Sequence, residues 1–166
     1  MKKILICMLC LLTLCSCNQE KATNSENNEN QVEKVKNYKN NVVVLKNEYV
    51  LKPGDKFTHI DKYLNDYDKL EVESSAVFYS NNDIEIFVGG DGIVKKISLF
   101  TNEYALDNGI TIDSTVKELE KIYDEKFTSS NNSDTSKSYH IDGINVLFTI
   151  KNDKITQIEL EVDTYK

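Results

Sequence analysis

The chain reads as an α+β fold: tandem strand-helix-three-strand repeats forming an antiparallel sheet, with helices packed on one face. Three observations predict it. The octet Asn47-Glu48-Tyr49-Val50-Leu51-Lys52-Pro53-Gly54 returns as Asn102-Glu103-Tyr104-Ala105-Leu106-Asp107-Asn108-Gly109, and each copy follows an apolar run, Val42–Leu45 or Ile97–Phe100. Recurrence of this kind is the signature of duplicated modules. Apolar residues at helical spacing follow each octet, and alternating segments separated by turn residues follow each of those.

The first residues are of another kind. Lys2 and Lys3 precede a short apolar run from Ile4 to Cys17, after which the chain turns polar at once. A charged start, an apolar stretch and a small-residue end make a secretory signal peptide over residues 1–16. A bilayer-spanning helix needs about 20 apolar residues, more than this run supplies. All four cysteines, Cys7, Cys10, Cys15 and Cys17, lie here, so the processed chain has no thiol for a disulfide, a nucleophile or a thiolate metal site. The ending Leu14-Cys15-Ser16-Cys17 resembles the lipobox of bacterial lipoproteins. That resemblance implies cleavage before Cys17 and a diacylglyceryl thioether on its sulfur; cleavage before Cys15 would leave Leu14 where a small residue is preferred. The implied partner is a lipid bilayer, held through acylated Cys17, with the chain on the exported face of a cell membrane or outer membrane. More than one acyl chain is needed, since a single one binds with K of about 10⁴ M⁻¹.

Residues 17–41 read as the lipidated cysteine and a disordered tether. Asn18–Gln31 contains only Ala22 as an apolar residue and cannot offset its ordering entropy. As a flexible coil the tether would average roughly 25–30 Å end to end. Loss of Lys2 and Lys3 with the signal takes the formal net charge from −7 to −9. An acidic surface of that kind repels phosphate backbones, so nucleic acid is excluded as a partner.

The folded part divides into a first α/β repeat over 42–97 and a second over 98–166, together one compact domain. The first helix is expected from Thr58 to Asp66, with Ile60, Tyr63, Leu64 and Tyr67 on one stripe. The second is expected from Ser114 to Lys126, capped by Asp113 or Ser114, with Val116, Leu119, Tyr123 and Phe127 on one stripe. Pairing Ile60 with Val116 and Tyr67 with Tyr123 places one inserted residue between octet and helix in the second copy. Strands are expected at Leu70–Tyr79, Ile84–Val88 and Val94–Phe100, then at Ser138–Ile141, Ile144–Ile150 and Ile155–Val162. Asp142-Gly143 suits a type I′ hairpin, and Thr128–Thr135 reads as an exposed loop.

The stretch 109–123 with strands behind it resembles repeats of small bacterial envelope lipoproteins, of β-lactamase-inhibitor-like proteins and of the SmpA/OmlA-like outer-membrane assembly lipoproteins. The resemblance implies a protein-binding scaffold with helices on one side of an antiparallel sheet. The glycine common after the helix tyrosine in such repeats is replaced by Asp124 and Asp68.

No catalytic set emerges. Ser114-Thr115-Val116-Lys117 fits a Ser-x-x-Lys pattern but lacks the partner motifs of that chemistry, and Ser114 suits a helix cap better. His59 and His140, the two histidines, lack zinc-ligand spacing. Gly89-Gly90-Asp91-Gly92 precedes no helix and reads as a hairpin turn. Asp107–Glu118 begins and ends like a calcium loop but holds Ile112 where the turn glycine belongs. Scattered carboxylates read as solvated charge. The expectation is a non-enzymatic, cofactor-free, membrane-anchored binding module whose partner is an envelope or foreign protein. The alternatives are a structural or assembly accessory lipoprotein and, more remotely, a hydrolase.

Overall fold

The computed structural model describes residues 43–44, 50–58, 64, 66–124, 127 and 129–163. Cys17, the tether, His59 and most of the expected first helix lie outside the described residues. Eleven strands and one α-helix are described: β1 (Val43–Val44), β2 (Val50–Leu51), β3 (Asp68–Glu71), β4 (Val77–Ser80), β5 (Ile84–Val88), β6 (Val94–Leu99), β7 (Ala105–Leu106), α1 (Val116–Tyr123), β8 (Ser129–Asn132), β9 (Ser136–Ile141), β10 (Ile144–Lys151) and β11 (Lys154–Val162). They form an eight-stranded antiparallel sheet in the order β3-β4-β5-β6-β11-β10-β9-β8 and a three-stranded sheet, β2-β1-β7.

This corrects the expected α+β arrangement of strand-helix-three-strand repeats. The described chain is mostly antiparallel sheet with one helix of substantial length, and helices do not form a layer over one face. Two misreadings of strand content account for much of the difference. The run Leu70–Tyr79 is two strands, β3 and β4, reversed through Glu73–Ser75, where Ser74 and Ser75 take φ of 65° and 61° without being glycine. The expected exposed loop after the helix contains the edge strand β8, whose composition, Ser-Ser-Asn-Asn, has no apolar alternation to reveal it.

A duplication is present in the backbone, and the strands carry it. In each half the last hairpin has a register shift at the same place, between Phe87 and Val88 opposite β6 and between Thr149 and Ile150 opposite β11. Each half clamps the start of its last strand with the same turn. Gly54 N–H donates to the Val94 carbonyl (2.8 Å), Val94 N–H to Asp55 (2.9 Å) and Phe57 N–H to Gly92 (2.8 Å). In the second half Asp113 N–H donates to Ile155 (2.9 Å), Ile155 N–H to Ser114 (2.9 Å) and Val116 N–H to Asp153 (3.2 Å). Gly54 and Asp113 both have positive φ, 92° and 71°.

The halves meet through β6 and β11, where Leu99 lies opposite Ile158, Ile97 opposite Leu160 and Ser98 opposite Glu159. Leu99 corresponds to Leu160 and Ile97 to Ile158, so a pseudo-two-fold axis passes between Ser98 and Glu159.

The octet does not mark this duplication. Val50–Leu51 is the second strand of its hairpin, pairing back onto β1, whereas Ala105–Leu106 is the first strand of its own, with Thr111 bridging back to Ala105. Both octet strands flank β1, Val43 lying opposite Leu51 on one side and Leu106 on the other. The equivalent of Gly54 is therefore Asp113 and not Gly109, so the one-residue insertion expected from aligning the octets does not describe the relation between the halves.

The inner face of the large sheet presents Ile84, Ile86, Ile97, Leu99, Val146, Phe148, Ile158 and Leu160. They share one core with Val43, Leu51 and Leu106 of the small sheet and with Leu119 and Tyr123 of α1. Each such side chain contributes about 1.5–3 kcal/mol on burial. Tyr123 packs on Tyr139 and Phe148 with ring centroids 4.9 and 5.1 Å away.

Helix α1 is capped by Thr115 and not by Asp113 or Ser114. Thr115 Oγ1 accepts from Glu118 N–H, while the Glu118 carboxylate accepts from Thr115 N–H at 2.8 Å, a complete capping box. Ser114 Oγ is engaged elsewhere, accepting from Thr111 N–H at 3.1 Å.

Two tests follow from these contacts. A Cβ on Gly90 would lie 2.1 Å from the Ser74 carbonyl oxygen, because the β5–β6 turn sits against the strained Glu73–Ser75 turn. Gly90→Ala should therefore cost about 1–3 kcal/mol by urea denaturation. The hydrogen bond from Thr115 N–H, reinforced by its hydroxyl, holds the Glu118 carboxyl below its ordinary value. Its contribution is complete above the unfolded-state value and is lost as pH falls through the folded one. Glu118→Gln should therefore flatten the dependence of the urea midpoint on pH across the acidic carboxylate range, with no change in slope between pH 6 and 8.

Candidate functional site

The polar cluster on the inner side serves the fold. Tyr123 hydroxyl accepts from Asn108 Nδ2 at 2.9 Å, and Tyr139 hydroxyl donates to Asp124 Oδ1 at 2.6 Å. Burial pushes both phenols well above their ordinary values, and for Tyr139 the Asp124 hydrogen bond adds to it. They stay neutral as core residues. The groove between α1 and the β8–β9 turn contains Lys137, but Glu120 already holds its ammonium at 2.9 Å.

The residues singled out in the sequence are not brought together. Ser114 lies in the turn before α1. His140 is exposed on β9, with Nδ1 3.0 Å from Asn145 Oδ1 and 3.8 Å from Asp163. Gly89–Gly92 forms the β5–β6 turn, with Asp91 Oδ1 accepting from Ile93 N–H. Asp107 is buried, which withdraws the first position of the calcium-like loop from solvent. Among the described residues no three His, Cys, Asp or Glu side chains group as metal ligands. No described helix is long and apolar enough to cross a membrane.

The feature that sequence reading missed is on the outer face of the large sheet. Strand alternation and register place Leu70, Phe78, Phe87 and Lys96 in one cross-strand row, continued by Glu161, Asn145 and His140. Leu70 is 62% exposed, and Phe78 stacks on Phe87 with ring centroids 4.5 Å apart and planes tilted by 25°. The row thus begins as an apolar strip and ends polar. Lys96 closes the strip with an ion pair to Glu159 (2.5 Å), which also accepts from Gln157 at 2.7 Å. Beside Leu70, on the other face of β3, Lys69 and Glu71 are joined at 2.7 Å.

The duplication provides an internal control. The register shifts make Thr149 the counterpart of Phe87, and Ser136, opposite Thr149, the counterpart of Phe78. The second half builds the same strands with a serine and a threonine at these places. Phenylalanine there is not a requirement of the fold. The signal was hidden because Phe78 lay inside what reads as one long strand, with no register to say which face it takes.

Comparison with family models, curated proteins and solved structures finds no match to this chain.

Leu70, being mostly solvated, should tolerate a charge. Leu70→Asp is expected to move unfolding free energy by less than about 0.5 kcal/mol. A larger loss in urea denaturation would mean that the strip is part of the core.

Proposed function

We propose that the chain is a membrane-anchored cell-envelope lipoprotein acting as a non-catalytic protein-binding module, with the Leu70–Phe78–Phe87 strip as its contact surface. The observation that carries this reading is the contrast between halves: Phe78 and Phe87 on one, Ser136 and Thr149 on the other, over the same backbone pattern. Stacked aromatics next to an exposed leucine supply contact area with few rotors to freeze, the composition that dominates binding surfaces. The Lys96–Glu159–Gln157 group supplies a polar border beside it. The anchor belongs to Cys17, and its support is the lipobox-like Leu14-Cys15-Ser16-Cys17.

Both parts have direct tests. Mass spectrometry of the membrane fraction should find Cys17 as an acylated N-terminus, and Cys17→Ser should release the chain from membranes. An unmodified Cys17 on membrane-bound protein would sink the anchor. A photoreactive phenylalanine analogue at position 78 should cross-link an envelope protein, and Leu70→Asp should abolish that product. The same analogue at position 149 should give none. Identical products from the two positions, or none from position 78, would dispose of the strip as a binding site.

A further inference from the structure

We infer that the strip also serves a second copy of this chain, which pairs antiparallel with β3 edge to edge and continues the eight-stranded sheet across a two-fold axis at Leu70. This deepens the binding reading above and rests on it, because it uses the same strip.

The large sheet ends in β3 and in β8. The β8 edge is broken by a register shift between Ser129 and Asn131, whereas β3 pairs with β4 in unbroken register and all its residues are exposed. An unbroken exposed edge is a template for another strand. The bond from Val72 N–H to the Ala76 carbonyl (2.9 Å) sets the alternation of the β3–β4 ladder. Leu70 and Val72 therefore turn their backbone groups toward β4, and Lys69 and Glu71 turn theirs to the open edge.

Side-chain charge selects the register. A two-fold axis normal to the sheet must pass through a residue, since opposed side chains share a face. Centred on Lys69 it opposes two ammoniums, and centred on Asp68 or Glu71 it opposes two carboxylates. Centred on Leu70 it sets Lys69 of each copy opposite Glu71 of the other, in hydrogen-bonded pairs, with the two leucines facing each other between them. Non-hydrogen-bonded pairs bring side chains closest, so the leucines join the two strips into one run of six apolar residues. The Lys69–Glu71 contact now made within each strand is exchanged for one to the other copy, two for two across the axis. The axis also leaves β1 of both copies on the same side of the joined sheet, so two lipid tethers would reach one bilayer.

The test uses full-length chains carrying two different tags in one cell, purified from membranes through one tag and read for the other. Wild-type copies should co-purify. Lys69→Glu paired with itself opposes carboxylates across the axis, and Glu71→Lys paired with itself opposes ammoniums. Each should lower capture by roughly tenfold or more, from two like-charged pairs. Lys69→Glu co-expressed with Glu71→Lys restores opposite charges at both positions and should recover capture, which also shows that both variants fold. Failure of wild-type copies to co-purify, or undiminished capture by the single variants, would overturn the pairing. A foreign cross-link at position 78 surviving that result would leave the binding reading standing; a product of twice the chain's mass as the sole product would support pairing and remove the foreign partner.

Discussion

The pairing of β6 with β11 is the constraint on which the rest of the structure depends. Each half ends in a strand with an open edge, and joining those edges makes two four-stranded units into one sheet with a continuous inner face. The register is demanding. A slip of one residue would turn Ile158 and Leu160 outward and send Glu159 and Glu161 into the core. Because Ser98 and Glu159 lie opposite each other at the axis, the two halves cannot be chemically equal there. One position carries a long carboxylate that takes Lys96 and Gln157, and the other a small hydroxyl that is almost fully buried.

Much of the second half was legible because its physics is local. Asp142-Gly143 turns with φ of 52° and 80°, as a type I′ hairpin requires, and β10 and β11 show alternation that registers directly as inner and outer faces. The helix was legible in position and was expected too long at both ends, since Asp113 and Ser114 read as caps until the carboxylate of Glu118 is placed on Thr115. What escaped was non-local. The turn at Ser74 and Ser75 has no glycine to announce it and is held against the Gly90 backbone from another hairpin. Strand β8 is polar throughout and is a strand because β9 offers an edge. The octet misled because five matching letters in eight outweighed the ladder that assigns its two copies to opposite strands of their hairpins.

The candidate site escaped for a related reason. Its composition was plain, but facing is a property of register. Phe87 stands between Ile86 and Val88 in a run that looks wholly buried, and the pairing with Lys96 and Phe78 is what turns it outward. The equivalences carried by the duplication then separate what folding needs from what it tolerates. Inner pairs Ile86 and Phe148, Val88 and Ile150, Val94 and Ile155, and Ile97 and Ile158 are apolar in both halves. Outer pairs Phe78 and Ser136, Phe87 and Thr149, and Lys96 and Gln157 differ in kind.

An antiparallel sheet can keep one face in water where that face is polar, and the second half does so at Ser136, Asn145, Thr149, Gln157 and Glu161, with Leu147 the apolar residue among them. At the places of Ser136 and Thr149 the first half, with the same inner layer behind it, carries Phe78 and Phe87. Its strip gains nothing from the small sheet or from α1, which lie on the other side. Apolar surface left in water on one half, where the other half shows that polar side chains fit the same backbone, is a cost the fold does not impose. Under the binding role proposed above, that cost is offset when a partner covers Leu70, Phe78 and Phe87.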